Sequence, residues 1–253
     1  MVTPAYRRQR GMSLVELVVG IAIMSLVSTM ILMGWFSLQK SYSYSVKSNV
    51  QRDSARQALS RMQREIRDAE ARPLPNVDPA IYRARTYWIA VYTTFNVYKT
   101  ASPTPQLNTN SGLAPHMVMY RLYSDGEIWR FDDLNNNGVI AGVNMDPSHD
   151  DPSGFNSAEQ STGEGAQLYL KYVTNYSADP AHPTPVFRYM YYDDSGTLVT
   201  EDHAYNWTDW SGVGHNDRSN TIAVIIRTLV DLVPGKAPVS ADLETTAQIR
   251  NQR

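Results

Sequence analysis

The sequence predicts an α+β fold: one long N-terminal helix, then an antiparallel β-sheet that it covers. Three observations carry this. An apolar run near the N-terminus continues as a one-sided helical pattern to about residue 72. Pro73 and Pro75 then close that pattern. From residue 86 onward the chain changes to short β-branched and aromatic runs separated by glycine-containing turns.

The first element divides into three segments. Residues 1–11 are a basic tail with Arg7, Arg8 and Arg10, ending in Gly11. Residues 12–38 are apolar apart from small polar residues and one carboxylate, Glu16. From Leu14 to Leu38 this gives about 25 residues, enough for a helix to cross roughly 30 Å of hydrocarbon. A carboxylate inside such a run is expensive and therefore a functional candidate by default. A plain membrane anchor needs neither Glu16 near its polar end nor Gly11 directly before the run. A secretory signal would be shorter and would be followed by a small-x-small cleavage site. The three arginines predict that the leader stays in the cytoplasm and the remainder lies outside.

Residues 39–72 continue the helix with a different face. Val46, Val50, Leu59, Met62, Ile66 and Ala69 recur every three or four residues, an apolar stripe on an otherwise polar surface. Arg61 with Glu65, and Arg64 with Asp68, have the i,i+4 spacing of surface ion pairs. Pro73 and Pro75 end the helix because proline has no amide proton and disfavours helix in the residue before it.

Residues 73–253 form the β-rich domain. Strands are predicted over 86–99, 116–123, 127–131, 167–176, 185–192, 197–200, 220–233 and 243–250. Asp125-Gly126, Asn137-Gly138 and Ser195-Gly196 supply turns. Close spacing of the strands argues for antiparallel pairing. The stretches 101–115, 141–166 and 201–219 read as loops.

Composition sets limits. The chain has 253 residues, 42% of them hydrophobic and 19% charged, which suits a folded domain. Formal net charge is -2. Loss of the three leader arginines takes Lys+Arg from 23 to 20 against 25 acidic residues, which argues against nucleic acid as a partner. With no cysteine, disulfides and thiolate metal sites are excluded.

Basic tail, Gly11, Met12, apolar run and Glu16 five places after the glycine closely resemble the class III signal of type IV prepilins and type II secretion pseudopilins. The resemblance covers about a tenth of the chain and is specific in residue type, order and spacing. It implies a type IV pilin-like fold and cutting by prepilin peptidase between Gly11 and Met12. It further implies N-methylation of Met12 and storage in the cytoplasmic membrane before assembly with other pilins or pseudopilins. In that family the counterpart of Glu16 pairs with the N-terminal amine of a neighbouring subunit. Residues 187–198, 220–232 and the C-terminal TTAQIRNQR are loosely similar to minor pilins of the PilW type and to J-type minor pseudopilins. The resemblance therefore implies a minor structural subunit without catalysis of its own.

One further motif stands apart. Asp133–Asn144 reads DLNNNGVIAGVN, and its start matches the first eight positions of an EF-hand-like calcium loop. Asp133, Asn135, Asn137 and the carbonyl of Val139 are the candidate ligands. The twelfth position is Asn144, where such loops carry a bidentate glutamate. An Asn-Gly turn that needs no metal is the competing reading. The histidines at 116, 149, 182, 203 and 215 are scattered, and no GxSxG, HExxH, Walker-type or GxGxxG pattern occurs. A membrane-tethered ligand-binding module of the adhesin or DNA-uptake kind is the alternative function, with loops 141–166 and 201–219 as its contact surfaces.

Overall fold

A computed structural model describes residues 13–70, 80–94, 98–99, 106–107, 115–135, 137–145, 151–176, 183–192, 195–201, 221–234 and 240–249. The chain divides into two compact units, residues 1–47 and 48–253. Helix α1 runs unbroken over Leu14–Arg67, 54 residues. Gly34 does not interrupt it.

In the first unit the large apolar side chains from Leu14 to Leu38 are exposed on every face of α1. Such a helix is stable only in an apolar surrounding.

In the second unit α1 is one-sided. Ala55, Ala58, Leu59, Met62 and Ile66 are buried, and so is Glu65. The stripe is shorter at its start than the sequence predicts. Val46 and Val50 are 42% and 55% exposed, so burial begins at Ala55. The helix also stops at Arg67, six residues before Pro73. There the chain turns and Ala69 bridges to Thr93, with the Glu70 amide donating to the Tyr92 carbonyl at 2.8 Å. Backbone pairing with a strand, rather than proline, ends the helical hydrogen bonding.

Eleven strands are described: β1 Ile81–Ala84, β2 Trp88–Thr93, β3 Tyr98–Lys99, β4 Gln106–Leu107, β5 His116–Leu122, β6 Ile128–Asp132, β7 Gln167–Leu170, β8 Phe187–Tyr192, β9 Leu198–Glu201, β10 Thr221–Asp231 and β11 Ser240–Gln248. All their pairings are antiparallel. One sheet has the order β1-β2-β5-β6-β7, the second β11-β10-β8-β9, and β3 pairs with β4. The run 86–99 is two strands rather than one, and β7 ends at Leu170 rather than Tyr176. After Leu170 the chain crosses between the sheets. Val173 bridges to Val230, the Thr174 amide donates to the Leu229 carbonyl at 2.7 Å, and the Asp231 amide donates to the Tyr172 carbonyl at 2.8 Å. Gly126 packs under this crossing with φ +78, and a Cβ there would lie 2.7 Å from the Val173 carbonyl oxygen. Only glycine meets both conditions.

The α1 stripe lies on one face of both sheets. Leu59, Met62 and Ile66 share a core with Ile89, Val91, Val118, Tyr120 and Leu122 of the five-stranded sheet and with Phe187, Tyr189, Val224 and Ile226 of the four-stranded one. The opposite face of the five-stranded sheet is covered too, by the connection after β6. Trp88, Tyr92, Met117, Met119 and Phe131 pack there with Ile140, Val143, Met145 and Phe155. Residues 141–166 are thus an ordered layer where they are described, with a 3-10 turn Pro152–Gly154 and a one-turn helix α2 Glu159–Thr162. The result is an α+β, type IV pilin-like architecture: a long apolar N-terminal helix packed by its later half on antiparallel sheets.

Candidate functional site

Gly11 and Met12 lie outside the described residues, so the site begins at Ser13. The first turn of a helix leaves its amides without intrahelical acceptors. Here Ser13 and Glu16 satisfy two of them reciprocally. The Glu16 amide donates to Ser13 Oγ at 3.2 Å, and the Ser13 amide donates to Glu16 Oε2 at 3.0 Å. This is a capping box. Glu16 is therefore anchored at the helix start, where the positive end of the helix dipole also favours an anion. The S-x-x-E spacing that produces this is present in the sequence, and it adds Ser13 to the residues that matter. Further along the run, Ser25 Oγ donates to the Ala22 carbonyl and Thr29 Oγ1 to the Ser25 carbonyl, both at 2.8 Å. The small hydroxyls thus return their protons to the helix, as a lipid-facing segment requires. Among the described residues α1 is the one helix long and apolar enough to cross a membrane.

The candidate calcium loop is closed by protein donors. Asp133 is buried at the end of β6, and its two oxygens accept the amides of Asn137 at 3.1 Å and Gly138 at 2.7 Å. Asn137 Oδ1 accepts the Val139 amide at 2.9 Å. Asn135 Nδ2 donates to Glu164 at 2.7 Å, and the other Glu164 oxygen accepts the Ala141 amide at 3.1 Å. Asn144, at the twelfth position, is turned to a different task. Its carbonyl accepts from Arg121 at 2.5 Å and its amide donates to Glu159 at 2.9 Å. Among the described residues no group of three His, Asp or Glu side chains is arranged to hold a metal ion. Glu164, some thirty residues from the loop's start, carries no sequence signal for this contact.

Two buried charge networks complete the second unit. In the core under α1, Arg130 donates to Glu65 at 3.0 Å and to Asp132 at 2.7 Å, while the Tyr120 hydroxyl donates to Glu65. His116 Nε2 lies 3.1 Å from Asp132. Burial pushes the Tyr120 hydroxyl pKa well up, and the Glu65 carboxylate adds to it. Burial acts to lower Arg130 but is outweighed by Glu65 and Asp132, which hold it well above its usual value. Burial acts to raise Asp132, yet the adjacent His116 and the bond from Arg130 bring it below the usual range. The surface pairs expected from i,i+4 spacing do not form: Glu65 turns inward, and Asp68 meets Arg67 at 3.4 Å. On the other side of the sheet Arg121, fully buried, donates to Glu159 at 2.7 Å, and Tyr123 donates to the same oxygen at 2.9 Å. The Arg121 guanidinium is stacked between Trp88 and Phe155. These networks tie α1 and the 141–166 layer to the sheet. His149, His182, His203 and His215 lie outside the described residues, as does most of 201–219.

Residues 6–32 match the family model of the prokaryotic N-terminal methylation motif. That span contains the arginines, Gly11, Met12, the capping box and most of the apolar run, so the chain carries the type IV prepilin and pseudopilin signal. No curated protein matches the chain.

Proposed function

We propose that the protein is a minor structural subunit of a type IV pilus or of a type II secretion pseudopilus. Prepilin peptidase would cut between Gly11 and Met12, the new Met12 amine would be methylated, and the subunit would wait in the cytoplasmic membrane with its folded domain outside. The observation that carries this reading is the methylation motif at residues 6–32 leading directly into a helix whose apolar side chains face outward on all sides. Exposed apolar surface of this extent needs lipid before assembly and neighbouring helices after it. Glu16 is the sole carboxylate from Leu14 to Leu38. Its pairing with the Met12 amine of a neighbour would neutralise both charges in the filament interior. Minor rank is supported by the length of the chain and by the ordered layer over the second sheet face. We assign no catalysis to the protein.

Mass spectrometry of the mature N-terminus tests the processing step: a chain beginning at N-methyl-Met12 is expected, and an intact Met1 overturns it. Glu16→Ala should be cleaved normally but depleted from filaments. Wild-type incorporation of that variant would remove the pairing role while leaving the processing result standing.

A further inference from the structure

The second sheet ends on β11, the longest sheet-edge strand among the described residues. Its backbone can be assigned group by group. Arg227, Leu229 and Asp231 of β10 direct their amides away from β11, to the Val186 carbonyl, Asn175 Oδ1 and the Tyr172 carbonyl respectively, at 2.7–2.8 Å. Their cross-strand partners are Glu244, Asp242 and Ser240. These are therefore the non-hydrogen-bonded pairs of the antiparallel ladder, in which each residue points its N–H and C=O outward. Thr246 follows the same alternation, and its carbonyl accepts from Gln63 of α1 at 2.8 Å. The amides and carbonyls of Ser240, Asp242 and Glu244, and the Thr246 amide, are thus presented in a row with none of the described chain taking them up. The register with β10 is unbroken from Ser240 to Gln248, and the strand has no proline, lysine or bulge to blunt it. Edges left so regular are templates for another strand.

We propose that the outer edge of β11 accepts an extended strand of a different protein chain, one with alternating basic and apolar residues. Side chains on the two faces of β11 set that pattern. On the outer face Arg227 bonds Asp242 through two contacts, at 3.0 and 2.6 Å, and leaves the exposed Glu244 without an ion pair. An incoming lysine or arginine would meet it. On the inner face Leu243 is half-buried at the rim of the main core, and an apolar residue beside it would extend that core. The acidic pair also works against a second copy of this chain paired about Leu243. A two-fold pairing centred on Leu243 sets Asp242 of one copy against Glu244 of the other, and like charges opposed across strands are destabilising. Strand addition gives affinity through main-chain bonds and specificity through alternate side chains. This inference stands on the sheet alone and is independent of the filament reading.

The test uses the full chain in detergent micelles with an end-capped heptapeptide of alternating lysine and valine. Amide hydrogen exchange at Asp242, Glu244 and Thr246 should slow on binding. Glu244→Pro removes one outward amide and the free carboxylate; proline is tolerated where an edge N–H faces solvent. It should leave the melt unchanged and weaken binding about tenfold. Glu244→Lys should instead prefer the matching glutamate–valine peptide. The proposal is overturned by an absence of protection, by equal binding of both peptides to the native chain, or by a Leu243→Cys chain that oxidises to a homodimer which Glu244→Pro abolishes.

Discussion

At the residue scale, the carboxylate of Glu16 is stabilised at the start of α1 by a bond from the Ser13 amide. An unpaired carboxylate inside an apolar run costs several kcal/mol in hydrocarbon, and the capping box offsets part of that cost. Ser13→Ala removes one half of the box and should destabilise the helix start by about 1 kcal/mol. Faster hydrogen exchange at the Glu16 amide, with exchange beyond Val19 unchanged, is the expected readout. Glu65 is the second decisive side chain. It is 1% exposed and shared by Arg130 and Tyr120. Glu65→Ala leaves a buried guanidinium with Asp132 as its remaining carboxylate and should cost about 3 kcal/mol in denaturant unfolding. A cost of a few tenths would instead fit the surface i,i+4 pairing with Arg61 that spacing alone suggests.

At the element scale, the 133–166 connection illustrates how a polar, turn-rich stretch becomes a structural layer. Asp133 caps the turn at Asn137 and Gly138, Glu164 fastens it from beyond α2, and Arg121 holds the far side through Glu159 and the Asn144 carbonyl. Gly165 permits the return: its φ is +62, and a Cβ there would lie 2.5 Å from Asp132 Cβ. The side chains of Asp133, Asn135 and Asn137 each bond within the protein, and the loop's twelfth position carries no carboxylate. Thermal melts with and without a chelator should therefore superimpose. Asp133→Ala should lower stability by about 1–3 kcal/mol by stranding two backbone amides. A chelator-dependent fall in the melting temperature would instead support the calcium reading of DLNNNG.

At the scale of the whole molecule, the two units have different solvents. The first presents apolar side chains on every face, whereas the second has its own core, beginning at Ala55 and continuing through both sheets. A chain that starts at Ser48 should be water-soluble and unfold in one cooperative transition, followed by circular dichroism. Aggregation, or loss of cooperativity relative to the full chain in micelles, would show that the core depends on the apolar half of α1. The absence of cysteine makes the outcome independent of redox conditions.

Sequence by itself determined what is local. Arginines, Gly11, Met12 and Glu16 lie within a few residues of one another, and the S-x-x-E capping spacing fits within one helical turn. Periodicity of 3.6 and then of 2 separated helix from strands, because each pattern reports which face of a single element meets an apolar surrounding. Most strands followed, with Tyr98–Lys99 splitting from the run before it and Ile81–Ala84 too short to announce itself. What required the tertiary structure was every decision between distant groups. Val46 and Glu65 sit on the same helix, yet the valine is exposed and the glutamate buried. Periodicity says which face turns inward, but not where along α1 the sheets begin or that Arg130 waits beneath. Likewise nothing near Arg121 in sequence marks Glu159 as its counter-ion, and nothing in DLNNNG shows that Glu164 closes it. Charges are buried when a partner across the fold offsets their desolvation, and only the fold brings such partners within reach.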